Sequence, residues 1–236
     1  MTKKEFQGKL GNNYDLATGI TPHYHEVQKS LVSEVKKFCL NSKKKIIKVL
    51  EIGCGTGLTT ELILNIDPRI NVVGIDISFL MLEQAKSRLK SFLGSRLSLF
   101  LEDVNEFMEN STEKHDIIAS AYTIHNLQNQ DKKKLFSIIR KSLNPNGLFI
   151  NADIISQNDE LEHQKELDFM LNRASYFDEI KKPELKQEWI DHYKLDDTPK
   201  RKITESEYIT LLKNSGFKNI NKTYRKHMEA TFIANK

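Results

Sequence analysis

Apolar residues along this chain come in two kinds of run, and the two kinds take turns. Short, nearly unbroken runs occupy 46–52 (IIKVLEI), 71–76 (NVVGID), 96–104 (RLSLFLEDV), 115–122 (HDIIASAY) and 147–153 (GLFINAD). Their apolar character does not alternate, so they predict five strands covered on both faces. Helical spacing fills the intervals. Thr21 as cap and Pro22 in the first turn open a helix over 22–39, with Tyr24, Val27, Leu31, Val35 and Phe38 on one face. A second helix is predicted over 57–65. A third is capped by Ser78 and runs to about Phe92, packing through Leu80, Leu82, Ala85 and Leu89. A fourth covers 131–143 and stops at the turn Asn144-Pro145-Asn146-Gly147.

The pattern changes after Asp153. Residues 156–202 carry many charges and no strand signal. They predict one helix with Leu167, Met170, Leu171, Ala174 and Phe177 on a face, and a second around Glu184–Tyr193 with the single tryptophan, Trp189. Thr204 and Glu207 then form a capping box, Gly216 ends that helix, and 217–224 with 228–234 form a closing hairpin. Alternating strands and helices imply right-handed crossovers and a mostly parallel, doubly wound α/β sheet. The expected organisation is a single domain over 1–236. It comprises an N-terminal helical segment (1–45), a core (46–155), a helical insert (156–202) and a final helix with hairpin (203–236).

Composition narrows the class. At 39% apolar and 29% charged residues, the 236-residue chain can bury a core beneath a solvated surface. It has no apolar run of membrane-spanning length and no secretory-type start, which fits a protein without a membrane partner. Two cysteines, Cys39 and Cys54, form no CxxC, and no His/Cys cluster has zinc spacing. A reducing, cytoplasmic setting and no metal are therefore expected. The net charge of +4 is mild, and the basic runs at 43–45, 132–134 and 200–202 lie far apart in sequence. Nucleic acid is not indicated unless those runs converge on one face.

The candidate chemistry is in VLEIGCGTG (49–57). Gly53, Gly55 and Gly57 follow a strand directly, so backbone can approach a ligand closely at the carboxyl edge of the sheet. The spacing is G-x-G-x-G, unlike the G-x-G-x-x-G of dinucleotide sites. Glu51 ahead of the loop would repel a pyrophosphate and suits a cation. Asp76 ends the second strand, where a carboxylate can accept both hydroxyls of a ribose. Asp103 ends the third, where it can accept from an exocyclic adenine amine while the Val104 N–H meets a ring nitrogen. Ile77 and Met81 offer apolar contacts to the purine. A ribose, an adenine and a cationic amino-acid end together describe S-adenosylmethionine.

With VLEIGCGTG, VVGIDIS followed by MLEQA, LEDV, DIIASAYTIHNL and LNPNGLFI, the sequence resembles the class I S-adenosylmethionine-dependent methyltransferase family over about 46–154. The tail, LLKNSGFKNI and the hairpin, is similar too. The resemblance implies a Rossmann-like seven-stranded sheet with its last strand antiparallel, and S-adenosylhomocysteine as product. It also implies cofactor contacts from Cys54, Ser120 and Ala121, and from Tyr14 in an entry segment that closes over the methionine end. Tyr14 packed under the first helix is the alternative.

Methyl transfer from a sulfonium is an in-line displacement, so the protein mainly aligns the acceptor and excludes water. A base is needed only for a protonated acceptor. His125 is the candidate, against a histidine bonded to backbone at a helix start. Tyr122 either lines the acceptor site or packs. The segment lacks the Asn/Asp-Pro-Pro-Tyr common in enzymes that methylate amide or nucleobase amines. The resemblance makes the insert a roof over a small-molecule acceptor, lined by Arg173, Tyr176, Trp189, His192 and Tyr193. The alternative is a homodimer contact or a packing element. An RNA- or protein-directed enzyme and a carboxy-S-adenosylmethionine-forming relative stay open. The latter needs an arginine for the extra carboxylate, for which Arg173, Arg201 and Arg225 are candidates.

Overall fold

The computed structural model describes residues 9–236. Short turns of helix, α1 (Lys9–Asn12) and α2 (Ala17–Ile20), form an N-terminal strap before α3 (Tyr24–Asn41). The core follows as β1 (Ile47–Ile52), α4 (Leu58–Leu64), β2 (Ile70–Asp76), α5 (Phe79–Arg88), β3 (Leu97–Leu101), α6 (Val104–Asn110), β4 (His115–Ala121), α7 (Asn129–Ser142) and β5 (Leu143–Ile154). The insert holds α8 (Glu160–Asn172), α9 (Tyr176–Glu179) and α10 (Lys186–Asp196), and α11 (Glu205–Asn214), β6 (Lys218–Lys226) and β7 (Glu229–Asn235) end the chain.

The seven strands lie in the order β3-β2-β1-β4-β5-β7-β6. Pairings from β3 through β5 are parallel, and β7 enters antiparallel between β5 and β6. Strand order reverses between β1 and β4, the place where a doubly wound sheet opens a crevice at its carboxyl edge.

Unbroken apolar strands feed two cores. From β1, Ile47 and Val49 pack with Val27, Leu31 and Val35 of α3 and with Ile63 of α4. Leu50 and Ile52 point the other way, onto Leu135, Phe136 and Ile139 of α7 and Tyr208 and Leu212 of α11. Each fully buried side chain of this kind stabilises the fold by about 1.5–3 kcal/mol. A third cluster joins insert to strap through Ile20, Met170, Phe177, Leu185 and Trp189.

Several elements differ from the sequence expectation: α5 ends at Arg88, short of Phe92, and the first insert helix is broken into α8 and α9. The first long helix begins at Tyr24 with His23 at its N-cap, so Thr21 and Pro22 precede it. The third strand stops at Leu101, and Asp103 caps α6, a helix the strand-like run concealed. The helix predicted from 131 starts at Asn129. The expected turn at 144–147 falls inside β5, where register jumps between His115↔Leu143 and Ile117↔Leu148 and Asn146 takes a φ of 61°. The capping box at Thr204 and Glu207 forms as predicted.

Candidate functional site

The glycine loop leaves β1 in a left-handed path, with φ of 66° at Gly53, 53° at Gly55 and 84° at Gly57. The N–H groups of Gly53 and Cys54 both donate to Ile75 O, at 2.8 and 3.0 Å, locking the loop to β2. A Cβ on Gly53 would lie 2.2 Å from the Thr123 side chain, whereas one on Gly55 would meet open space. Thr123 Oγ1 donates to Gly53 O at 3.2 Å, so the loop and the end of β4 are drawn together.

Beside the loop lies a cleft. Tyr14, Gly53, Cys54, Gly55, Asp76, Met81, Ala121 and Tyr122 line it, all named from the sequence. Asp76 is held by backbone donors: Gly55 N–H to Oδ2 at 2.9 Å and Ser78 N–H to Oδ1 at 2.8 Å. Burial raises its pKa, and those N–H groups oppose the rise. Cys54 is buried with its thiol pKa well above the usual range, chiefly through desolvation, so it is an inert packing group. Thr56, Thr59, Tyr24, Gln28, Thr123 and Asn126 also line the cleft; they carry no motif, and sequence reasoning missed them.

Other expected residues stand elsewhere. Glu51 is 1% exposed and lies behind the loop, accepting from Thr60 Oγ1 at 2.6 Å; burial pushes its pKa up to about 8 against the pull of that bond. Ser120 is fully buried, its hydroxyl donating to Ile52 O at 3.2 Å, and it ties β4 to β1 without facing the cleft. Asp103 accepts from Asn105 N–H at 2.8 Å and Glu106 N–H at 3.4 Å as the α6 cap. Ile77, Asp103 and Val104 are outside the lining of the enclosed cleft, on the same carboxyl edge of the sheet. Gly57 is the α4 N-cap, packed against Leu89 and Ala85.

A second, small cavity adjoins the first and shares Tyr14, Tyr24 and Tyr122 with it. Its wall is completed by Thr18, Thr21, His125, Ile154, Trp189, His192 and Tyr193. Tyr122 adopts a φ of 50° at the end of β4, and its ring stacks on Tyr24 at 5.6 Å. Burial raises the phenol pKa of both Tyr14 and Tyr24, so both stay protonated donors. Of the insert residues named from the sequence, Trp189, His192 and Tyr193 reach this cavity. Arg173 and Tyr176 do not: the Arg173 guanidinium donates to the carbonyls of Gly19 and Ile20, and Tyr176 packs against Gly19.

His125 stands where β4 gives way to α7. Its N–H donates to Asp153 Oδ2 at 3.0 Å, and its Nδ1 pairs with Asp153 Oδ1 at 2.5 Å. Desolvation alone would lower the imidazole pKa, but Asp153 and then Asp196 outweigh it and raise it. Asp153 is fully buried at the end of β5. It is one more strand-end acid, the signal that exposed Asp76, and the sequence reading passed over it.

A family profile described as a methyltransferase domain matches residues 43–220, well over half of the chain. The protein belongs to this methyltransferase family. Malonyl-acyl-carrier-protein O-methyltransferase 2 of Ilyobacter polytropus is 27% identical over 215 residues, which span 88% of this chain and 80% of the relative. The carboxy-S-adenosyl-L-methionine synthase of Nautilia profundicola is 25% identical over 240 residues, spanning 98% and 93%. Human N-acetylserotonin methyltransferase, solved in complex with S-adenosylmethionine, shares the fold with a TM-score of 0.63 at 12% identity. That match covers 100% of this chain and 60% of the human one, so the methyltransferase spans about three fifths of the solved protein's length.

Proposed function

We propose that this methyltransferase binds S-adenosylmethionine in the cleft beside the glycine loop and transfers its methyl group to a small molecule held in the adjoining cavity. The carrying observation is the shared wall: Tyr14, Tyr24 and Tyr122 line both spaces. A methyl group projecting past those rings would meet an acceptor bounded by His125, Trp189, His192 and Tyr193. Asp76 takes the ribose hydroxyls, the loop amides and Tyr14 face the methionine end, and Met81 contacts the purine. Asp103 and Val104 serve the adenine edge. Glu51 acts through its charge from beneath the loop.

His125 is the wall group placed to activate the acceptor. With Nδ1 committed to Asp153, its Nε2 is the nitrogen turned toward the chamber, where Asp196 Oδ2 lies 3.5 Å from it. His125→Ala is expected to lower turnover by about 10²–10⁴-fold while cofactor affinity stays within a factor of two. The check is S-adenosylhomocysteine release across a panel of hydroxyl and amine acceptors, beside calorimetry of cofactor binding. Unchanged turnover would remove His125 from the reaction.

Two alternatives lose ground on particular residues. A carboxylated cofactor needs an arginine at the cleft, yet Arg173 is spent on strap carbonyls, Arg201 pairs with Asp196 at 3.0 Å, and Arg225 faces Glu205 at 3.6 Å. None of the three lines the cofactor cleft. A nucleic-acid surface needs converging basic runs. Runs 132–134 and 200–202 do meet, through Lys132 Nζ on Arg201 O, but Lys132 is buried there, and Lys44 pairs with Asp116 at the amino end of the sheet, so the three runs do not share one face. Among the described residues no helix is long and apolar enough to cross a membrane. Both cysteines are buried free thiols, which supports a reducing, cytoplasmic setting.

A further inference from the structure

His125, His192 and Asp196 each present one ligand-type atom to a common point, all lying within 4.8 Å of one another. His125 and His192 line the acceptor chamber. Asp196 lines a neighbouring cavity that also includes His125 and Tyr193, so the three stand on the partition between the two spaces. Asp196 Oδ2 is 3.5 Å from His125 Nε2 and 3.2 Å from His192 Nε2. Ligand atoms bound to one ion at about 2.1 Å are separated from each other by roughly 3.0–3.4 Å, so the two spacings from Asp196 are close to those of an assembled site.

The supports behind the three atoms point the same way. Asp153 engages His125 Nδ1 and thereby directs Nε2 at the common point, the carboxylate–histidine arrangement that orients metal-bound imidazoles. Arg201 takes Asp196 Oδ1 at 3.0 Å and leaves Oδ2 toward the histidines. Arg201 and the buried Lys132 also offset the charges of Asp153 and Asp196, so the surroundings are not simply an acidic patch. On α10 the pair His192 and Asp196 is spaced i, i+4, which puts both side chains on one helix face.

We propose that His125, His192 and Asp196 bind a divalent first-row transition-metal ion that activates the acceptor. Two nitrogens and one carboxylate select an ion such as Zn²⁺, Mn²⁺, Fe²⁺ or Co²⁺ over Mg²⁺ or Ca²⁺. Three protein ligands leave positions open toward the chamber. The acceptor class that fits is a chelating hydroxyl compound: an enol, phenol or hydroxy acid with a second oxygen beside the reacting one. Coordination releases the hydroxyl proton to solvent and leaves a metal-bound oxyanion. That oxygen forms the O–CH₃ bond as the S–CH₃ bond breaks. The bonding pair stays on sulfur, the sulfonium becomes a neutral thioether, and the product is a methyl ether. This assignment rests on the acceptor-chamber reading above.

The test is a Co²⁺ titration of tag-free protein stripped with a chelator, followed by visible absorption. The expected result is one Co²⁺ per chain with ligand-field bands. Affinity should fall about 10–100-fold in Asp153→Asn and by at least as much in His192→Gln. Salicylate, a chelating hydroxy acid, should shift the bands. S-adenosylhomocysteine binding by the same variants reports whether each is folded, and His192→Gln replaces a side chain near the surface in case Asp153→Asn is not. Absence of bands in the wild type overturns the site, as do bands of undiminished affinity in a folded variant. Bands that salicylate leaves unmoved overturn the acceptor class. A wild type that binds Co²⁺ but not S-adenosylhomocysteine would count against the cofactor reading alone.

Discussion

Glu51 is the residue whose chemistry the fold alters most. It is buried beneath the glycine loop, and desolvation pushes its pKa up to about 8 from an ordinary 4.5. The folded protein therefore holds this proton more tightly than the unfolded chain. Its contribution to stability is complete below pH 4.5 and is lost as the pH climbs through about 8. A bound sulfonium and ammonium favour the ionised carboxylate and lower that pKa. Cofactor binding should then release a proton and tighten with rising pH, by about tenfold for each unit that the cofactor lowers the pKa. Calorimetry at about pH 6.5 and about pH 9, in buffers of different ionisation enthalpy, reads both effects. In Glu51→Gln the pH dependence and the proton release should vanish; if they persist, another group is responsible.

At the scale of elements, the glycine loop and the end of β4 act as one unit. Gly53 has no room for a methyl group because Thr123 occupies its Cβ position, while Gly55 faces open space. Gly53→Ala should thus lower the urea midpoint substantially and disorder the cleft. Gly55→Ala should cost only the left-handed strain, about 1–2 kcal/mol, yet weaken cofactor binding, because its methyl group projects where backbone must meet ligand. Equal loss of stability in the two variants would contradict this division.

Elements of this kind were legible in the sequence where one local run encodes both the strand and its ligand end. The stretches ending at Glu51 and Asp76 are of that type. Asp103 misled because an acid ending a strand and an acid capping a helix look alike; Glu106, three residues on, was the available cap signal. Ser120 and Glu51 were named among the cofactor residues, and alternation along a strand could not say that one would bond Ile52 O and the other Thr60 Oγ1. His192 and Asp196 share a helix face, yet their meeting with His125 depends on how the insert folds back, and no local pattern carries that.

Across the whole molecule, the strap is the piece that connects the two cavities to the rest. Asp15 accepts from Thr56 Oγ1 at 2.6 Å and pairs with Arg88, fastening the strap to the glycine loop and α5. Arg173 fastens the insert to the same strap through Gly19 and Ile20. Tyr14 lines both cavities, so the strap is expected to tighten when ligand binds. Amide exchange in residues 9–21 should slow when S-adenosylhomocysteine is bound, and Arg173→Ala should speed it there without changing exchange in β1 and β4. An unchanged strap would mean that it takes no part in closure.

The most direct measurement is calorimetric titration of ligand-free protein with S-adenosylmethionine and S-adenosylhomocysteine, in wild type and Asp76→Ala. Asp76 lines the cleft and is held ready by the Gly55 and Ser78 amides. The predicted result is binding of both ligands by the wild type, weakened by about 1–3 kcal/mol in Asp76→Ala, the loss expected of a charged hydrogen-bond acceptor. Equal affinity in the two proteins would contradict the placement of the cofactor in this cleft, and failure of the wild type to bind either ligand would contradict the account as a whole.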